Sequence, residues 1–187
     1  MKPIWTPSPN FSKREQEIKY IVLHGTWMQS TQEALDRLCD KEAGVSCHYL
    51  IDEKGKLFQL VKDSCVAWHA GISAWKDDVS LNQYSLGIEL SNPGDGSPYT
   101  EAQYKSLTIL LKVLLSIHKL EGNAVLAHSD IAPDRKNDPG AAFDWQRLYE
   151  AGAAAPLIED ANPSYVQLKF AGYIGKEDIV QKAYALR

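Results

Sequence analysis

The residues best suited to chemistry lie in one segment, VLAHSDIAPDRKNDPG, which runs from Val125 to Gly140. Within it, Asp138 follows His128 by ten positions (138 − 128), on a stretch stiffened by two prolines. A second histidine, His24, ends the apolar run KYIVLH. Two imidazoles and a carboxylate, with a fourth position left open, are the ligand set of a catalytic zinc site. His24, His128 and Asp138 are therefore candidate metal ligands.

Each of these residues also has an ordinary structural interpretation. Histidines at strand ends are common and usually hydrogen-bond to backbone groups. Asp138 precedes a proline, as many turn residues do. When His24 and His128 are each considered alone, the structural interpretation is favoured. The case for a metal depends on their joint occurrence with a carboxylate in LGIEL and a lysine in RKND.

Glu89 and Lys136 are candidate catalytic residues. Glu89 lies between Ile88 and Leu90 in a predicted strand, so two-residue alternation turns its side chain to the opposite face. There it could accept the proton of a water that a metal activates. Lys136 precedes Asp138 by two positions and could stabilise an oxyanion. The alternatives are an edge-strand glutamate and a solvated lysine.

The segment AWHAGISAW belongs to a long irregular stretch, and such stretches are often functional in compact domains. Trp68 and His69 could form a cleft wall that contacts sugar or peptide, with Arg135 nearby. We treat these three residues as candidate substrate-binding residues. A structural aromatic cluster explains Trp68 and His69 equally well, and for Arg135 a solvated arginine in a charged turn is the favoured alternative.

The elements that must position these residues alternate between strands and helices. KYIVLH, LGIEL and AVLAH are short apolar runs typical of buried strands, and CHYLIDEKGKLFQLV predicts a hairpin about Lys54-Gly55. Helices are predicted after Ser30 or Thr31, and from Thr100, with Gln103 completing a capping box, to a left-handed end at Gly122. This alternation predicts an α/β fold with a central mixed sheet flanked by helices.

The composition excludes several classes of protein. The 187 residues carry a net charge of −4, which argues against a nucleic-acid partner. No apolar run approaches the ~18 residues of a membrane helix, and the first residues lack the apolar core of a secretory signal. As written, the chain is expected in the cytoplasm, or in the periplasm or cell envelope if a signal was removed. Nothing in the sequence indicates a quaternary state.

Several motifs together carry a resemblance to a known family. IVLHGT, SCHYLID, AWHAGISAW, LGIELSNPG and AHSDIAPDRKNDPG occur in that order between about Pro7 and Gly152. The chain thereby resembles the zinc-dependent N-acetylmuramoyl-L-alanine amidases of the AmpD and AmiD type. These are related to phage amidases and to peptidoglycan recognition proteins. AWHAGISAW is most similar to the AmiD branch.

The resemblance implies a function and assigns roles to the candidate residues. His24, His128 and Asp138 would bind Zn²⁺, Glu89 would be the general base and Lys136 the oxyanion partner. The reaction would be zinc-assisted hydrolysis of peptidoglycan or muropeptide, at the amide between the lactyl group of (1,6-anhydro-)N-acetylmuramic acid and L-alanine. The alternatives are a non-catalytic muropeptide-binding module and an unrelated zinc peptidase.

The resemblance also bears on the domain organisation. Residues 1–152 are expected to form the catalytic domain, and residues 153–187 a linker and a short helical tail. Some related amidases have a tyrosine where this chain has Cys47, so the proton-transfer role is expected to rest on Glu89.

Overall fold

The computed structural model describes residues 2–160 and 162–187. Its strands are β1 (Ile4–Trp5), β2 (Phe11–Lys13), β3 (Tyr20–Gly25), β4 (Tyr49–Ile51), β5 (Leu57–Gln59), β6 (Cys65–Ala67), β7 (Ala74–Trp75), β8 (Asp78–Val79), β9 (Ser85–Leu90) and β10 (Val125–Ala127). Its helices are α1 (Thr31–Cys39), α2 (Glu101–His118), α3 (His128–Ile131), α4 (Trp145–Glu150), α5 (Tyr165–Ala171) and α6 (Glu177–Tyr184).

The central sheet is mixed and has the strand order β1-β5-β4-β9-β3-β10. The pairs β4–β9, β9–β3 and β3–β10 are parallel. Strand β5 pairs antiparallel with β4 through the predicted hairpin. Two short antiparallel pairs, β2–β6 and β7–β8, lie outside it. The α/β fold with a mixed sheet and flanking helices, predicted from the sequence, is confirmed.

The two faces of the sheet follow the alternation of side chains along β3. Ile21 and Leu23 point into a core that includes the apolar face of α2. Tyr20 and Val22 point to the opposite face, into a second core that includes residues of α5 and α6. Because successive side chains alternate, His24 shares the face of Val22. The candidate ligand His24 therefore lies on the face of the sheet opposite to α2.

Helix α2 begins as predicted and ends earlier than predicted. Thr100 and Gln103 form the expected capping box. The helix ends at His118, and Lys119 rather than Gly122 adopts the left-handed conformation, with φ +54°. Gly122 serves a different purpose, because a Cβ there would lie 2.8 Å from the backbone of Ala154. Among the described residues, no helix combines the length and apolar character required to cross a bilayer.

The first residues contain two strands that the sequence did not reveal. Most residues before β3 are polar, yet β1 pairs with β5 and forms one edge of the central sheet, and β2 pairs with β6. All the side chains of both short strands are exposed. They therefore lack the alternation of buried and exposed residues by which a strand is recognised in a sequence.

A buried ion pair joins the segment that contains α5 and α6 to the rest of the protein. Arg187 and Asp130 pair at 3% and 0% side-chain exposure. Asp130 also accepts hydrogen bonds from Tyr173 and from the backbone N–H of Ala127, the latter at 2.7 Å. Arg187 donates to the carbonyl oxygen of Val125 at 2.9 Å. These contacts join the C-terminus to the turn that carries His128.

Arg187→Ala is expected to lower the free energy of unfolding by about 3–5 kcal/mol, because it leaves the Asp130 carboxylate buried without its cation. Denaturant unfolding monitored by circular dichroism measures the change. Arg147→Ala is the matched control, since Arg147 pairs with Glu101 at the surface, where an ion pair contributes little. A loss for Arg187→Ala no greater than that of the control would contradict this account of the tail.

Candidate metal centre

The parallel strands deliver the candidate ligands to one edge of the sheet. His24 lies near the carboxyl end of β3, directly opposite Glu89 on β9. Strand β10 pairs with the other side of β3 and is followed at once by His128. His128 is the first residue of α3, not the last residue of a strand as its position in AVLAH indicated. Crevices beyond the carboxyl ends of parallel strands are common ligand sites.

Three atoms from these elements converge at the edge. His24 Nδ1 lies 2.9 Å from His128 Nδ1 and 3.2 Å from Asp138 Oδ2, and the latter two atoms are 3.0 Å apart. All three residues are buried, with exposures of 1%, 3% and 6%. The structure thus brings together the three predicted ligands, although 114 positions separate His24 from Asp138.

The donor atoms of this cluster fit a divalent cation. His128 Nε2 lies 3.2 Å from the carbonyl oxygen of Ala70, which can only accept, so the ring proton is on Nε2 and Nδ1 is a bare lone pair. That lone pair faces the Asp138 carboxylate, which is also an acceptor. Two acceptors at 3.0 Å repel one another unless a cation or a proton lies between them. Tetrahedral zinc, with bonds of about 2.0–2.2 Å, separates its ligand atoms by roughly 3.3–3.6 Å, slightly more than these distances.

The segment from Ser129 to Asp138 is folded so that its two ends meet. The backbone N–H of Ser129 donates to the carbonyl oxygen of Asp138 at 3.1 Å, and that of Lys136 donates to Ala132 at 3.0 Å. Tyr99 Oη donates to the carbonyl oxygen of Pro139 at 2.9 Å. A short helix followed by a closed turn therefore returns Asp138 to His128, and this explains the spacing of ten residues.

Glu89 lies beside the cluster with one oxygen unpartnered. Its neighbours Leu86, Ile88 and Leu90 point into the α2 core, so Glu89 points to the face of His24, as predicted. Glu89 Oε2 is buried and has no hydrogen-bond partner among the described residues. Burial, and then the negative charge of Asp138, raise the pKa of Glu89 to about 8. A carboxylate held in this way is poised to exchange a proton near neutral pH.

Lys136 lies in the same cleft as the cluster. The cleft is lined by the three ligands together with Glu89 and Lys136. The positive charge of Lys136 opposes the rise in the Glu89 pKa, so the two groups interact electrostatically. Burial and the neighbouring His128 lower the pKa of His24 to about 4, which leaves this imidazole neutral and able to bind a metal.

The candidate substrate-binding residues have different environments. Trp68 is half-buried in the cleft wall. Arg135 lines the cleft, and its guanidinium also donates to the carbonyl oxygens of Ala70 and Ile72, so it braces the AWHAG loop. His69 Nδ1 lies 3.0 Å from His24 Nε2, so this ring contacts the side of His24 that faces away from the cluster. Burial lowers the pKa of His69 well below its usual value, so the ring is neutral.

Several contacts around the site were not predicted from the sequence. Asn82 Oδ1 accepts the backbone N–H groups of His69 and Ala70, at 3.0 and 2.7 Å. Gly87 provides room for the His69 ring, because a Cβ there would lie 2.4 Å from His69 Cγ. The glycine within an otherwise bulky strand was the available signal. Cys47 is fully buried in a core that includes residues of α1.

Comparisons with known proteins agree with this geometry. The family model for N-acetylmuramoyl-L-alanine amidase matches residues 14–141. The chain is 39% identical over 153 residues to N-acetylmuramoyl-L-alanine amidase AmiD of Escherichia coli strain K12, covering 74% of this chain and 54% of that protein. It is 43% identical over 104 residues to 1,6-anhydro-N-acetylmuramyl-L-alanine amidase AmpD of the same strain, covering 56% of each.

A solved structure shares the fold. It is the complex of AmiD from E. coli with the substrate anhydro-N-acetylmuramic acid-L-Ala-D-gamma-Glu-L-Lys, with a TM-score of 0.76 and 30% identity over 94% of this chain and 86% of that one. The matches to the two curated relatives span about half of their length. The resemblance inferred from the motifs is confirmed. This chain belongs to the N-acetylmuramoyl-L-alanine amidase family.

Proposed function

We propose that the protein is a zinc-dependent peptidoglycan amidase. It hydrolyses the amide between the lactyl group of N-acetylmuramic acid, or its 1,6-anhydro form, and the L-alanine of the stem peptide. The observation that carries this proposal is the convergence of His24 Nδ1, His128 Nδ1 and Asp138 Oδ2 beside the buried oxygen of Glu89. The solved complex of the related AmiD with an anhydromuramoyl peptide supports the substrate class.

His24, His128 and Asp138 would hold the zinc ion in this proposal. Zinc in such a site supplies Lewis acidity, which polarises a carbonyl oxygen and makes water acidic enough to react at neutral pH. The ligand residues contribute two neutral imidazoles and one carboxylate, so the site as a whole keeps a positive charge when a divalent cation is bound. That charge favours an oxyanion in the cleft.

Glu89 is proposed to move the proton. Ionised Glu89 would accept a proton from the attacking water at Oε2, the oxygen that has no other partner among the described residues. The carboxyl would then return the proton to the alanine nitrogen as that amine departs. A cation on the three ligands would offset the charge of Asp138, which is one of the two causes of the raised Glu89 pKa.

Lys136 is proposed to stabilise the oxyanion that develops on the lactyl carbonyl. Lys136 lines the same cleft as Glu89, and its positive charge acts on that carboxyl. A donor placed before the reaction stabilises the transition state without reorganisation. Trp68 and Arg135 are proposed to contact the substrate at the wall of the same cleft.

Lys136→Ala is expected to lower kcat by about 100- to 1000-fold, the range typical for removing one such donor. Its metal content should stay at the wild-type level, because Lys136 is not a ligand. Initial rates on a muropeptide and metal analysis of the same preparation measure both quantities. A kcat within twofold of wild type would remove Lys136 from the mechanism.

Mass spectrometry of a muropeptide digest tests the proposed function. The zinc-loaded protein should convert the substrate into N-acetylmuramic acid, or its 1,6-anhydro form, and a peptide that begins with L-alanine. Binding without release of that peptide would indicate a recognition module. Cleavage between two amino acids would indicate a peptidase. Parallel digests of the intact and 1,6-anhydro sugars establish which form the protein prefers.

A further inference from the structure

We infer that His69 is a positioning residue, which together with Ser85 fixes the tautomer of His24 so that Nδ1 is free to bind the metal. The inference rests on the proposed metal site, but not on the reaction that takes place there. It assigns His69 a role in orienting the metal ligand His24 rather than a role in substrate binding.

The direction of each hydrogen bond follows from a single backbone carbonyl. Ser85 Oγ lies 2.5 Å from the carbonyl oxygen of Leu81, which can only accept, so the Ser85 hydroxyl proton is donated there. Ser85 Oγ also lies 3.2 Å from His69 Nε2. Because its only proton is donated to Leu81, the Ser85 hydroxyl must accept a hydrogen bond from His69 Nε2. His69 therefore carries its proton on Nε2.

The same logic continues to His24. A neutral imidazole has one N–H, so His69 Nδ1 is a bare acceptor. It lies 3.0 Å from His24 Nε2, which must then be the donor. With its proton on Nε2, neutral His24 presents a bare Nδ1 to His128 Nδ1 and Asp138 Oδ2. The ring protons of His24 and His128 are thereby both held on Nε2, away from these three acceptors, so a cation is needed to relieve the repulsion among them.

The AWHAG loop orients both ligand histidines at once. The side chain of His69 accepts from His24, and the carbonyl oxygen of the next residue, Ala70, accepts from His128 Nε2. The backbone of both loop residues is fixed by Asn82, whose Oδ1 accepts their N–H groups. Partners of this kind set the tautomer of metal-binding histidines, and losing one typically weakens metal binding by about 10- to 100-fold.

The packing of His69 leaves the ring little freedom. It lies over Gly87 on β9, where any Cβ would meet ring atoms at 2.4–2.7 Å. The rings of His24 and His69 are nearly perpendicular, at 83°, with centroids 5.1 Å apart. This arrangement aims the edge of one ring at the edge nitrogen of the other. The glycine in LGIEL therefore serves the metal site through His69.

The first test measures tautomers in the metal-free protein. Two-bond ¹H–¹⁵N correlation spectra should show His24 and His69 protonated on Nε2 and bare on Nδ1. In Ser85→Ala, signals of the Nδ1-protonated forms should appear. Protonation of His24 on Nδ1 in the wild-type protein would overturn the inference. This readout is independent of catalysis and of metal, so it stays decisive even if the proposed amidase activity fails.

The second test measures the Zn²⁺ dissociation constant by competition with a chromophoric chelator. His69→Leu fills the space without an acceptor and should bind Zn²⁺ about 10- to 100-fold more weakly. His69→Asn places an amide oxygen near the former Nδ1 and should recover most of this loss. Ser85→Ala should weaken binding by a smaller factor than His69→Leu, because His69 keeps its contact with His24.

Ser106→Ala is the matched control, because Ser106 is also a buried serine that donates to a backbone carbonyl, that of Gly55 at 2.6 Å, away from the site. It should leave zinc affinity unchanged. Zinc affinity within twofold of wild type in folded His69→Leu would overturn the inference. If His69→Leu does not fold, the same result in Ser85→Ala would overturn it.

Discussion

Asp138→Ala is expected to reduce retained zinc from one ion per chain to a trace, and amidase activity with it. Asp138 supplies the only negative charge among the three converging donor atoms, and its Oδ2 lies 3.0 and 3.2 Å from the two Nδ1 atoms. Without it, two neutral imidazoles would hold the cation alone. Metal analysis after dialysis against a weak chelator measures the loss.

The control for this substitution lies on the same turn. Asp134 is exposed and four positions earlier (138 − 134), so Asp134→Ala removes an equal charge without touching the donor cluster. It should retain stoichiometric zinc and wild-type activity. Stoichiometric zinc in purified Asp138→Ala, with circular dichroism showing a native fold, would contradict the ligand assignment.

Glu89→Gln is expected to lower kcat by about 100- to 10,000-fold, the range typical of positioned acid–base groups, while zinc is retained. The amide keeps the volume and polarity of the carboxyl but cannot accept the proton of water. Rates on a muropeptide, together with metal analysis, separate this effect from loss of the metal. A turnover number within tenfold of wild type would rule out Glu89 as the general base.

The stability of the same variant provides an independent check. The Glu89 pKa is raised from 4.5 in the unfolded chain to about 8, so ionisation of this group destabilises the metal-free fold as pH rises through that window. A neutral glutamine removes this penalty. Above pH 8 the metal-free variant should therefore unfold at a temperature equal to or higher than that of the wild-type protein. A lower temperature would mean that the ionised carboxylate stabilises the fold.

The candidate site residues could be selected from the sequence because their environment has a strong local signature. His24 and Glu89 lie in apolar strands, where a polar residue is costly without a purpose. Asp138 and Lys136 share a proline-bounded turn with His128. The alternation of strands and helices predicted the mixed central sheet but not its strand order, and the family resemblance supplied the roles.

The contacts behind the site could not be predicted because they depend on tertiary geometry alone. Nothing in the sequence indicates that Ser85 donates to Leu81 and therefore accepts from His69, or that Asn82 fixes the loop. The ion pair between Asp130 and Arg187 joins positions 57 apart, and the sequence does not predict it either. The division into a domain at residues 1–152 and a tail at 153–187 stays a prediction, although the tail packs on the strand-bearing body.

The helix end at Lys119 illustrates how packing overrides local preference. Glycine is the usual residue at a left-handed helix end, and Gly122 was available three positions later. Lys119 instead takes that conformation, and its N–H caps the carbonyl of Ser116 at 3.4 Å. Gly122 is needed where the chain passes the backbone of Ala154 and Ala155. The glycine therefore meets a tertiary contact and not the left-handed helix end that the local pattern predicted.

Anomalous diffraction at the zinc absorption edge, from crystals of the zinc-loaded protein, tests the central claim most directly. One strong peak is expected within bonding distance of His24 Nδ1, His128 Nδ1 and Asp138 Oδ2 together. A peak bound by other residues, or these three groups intact with no zinc between them, would contradict it.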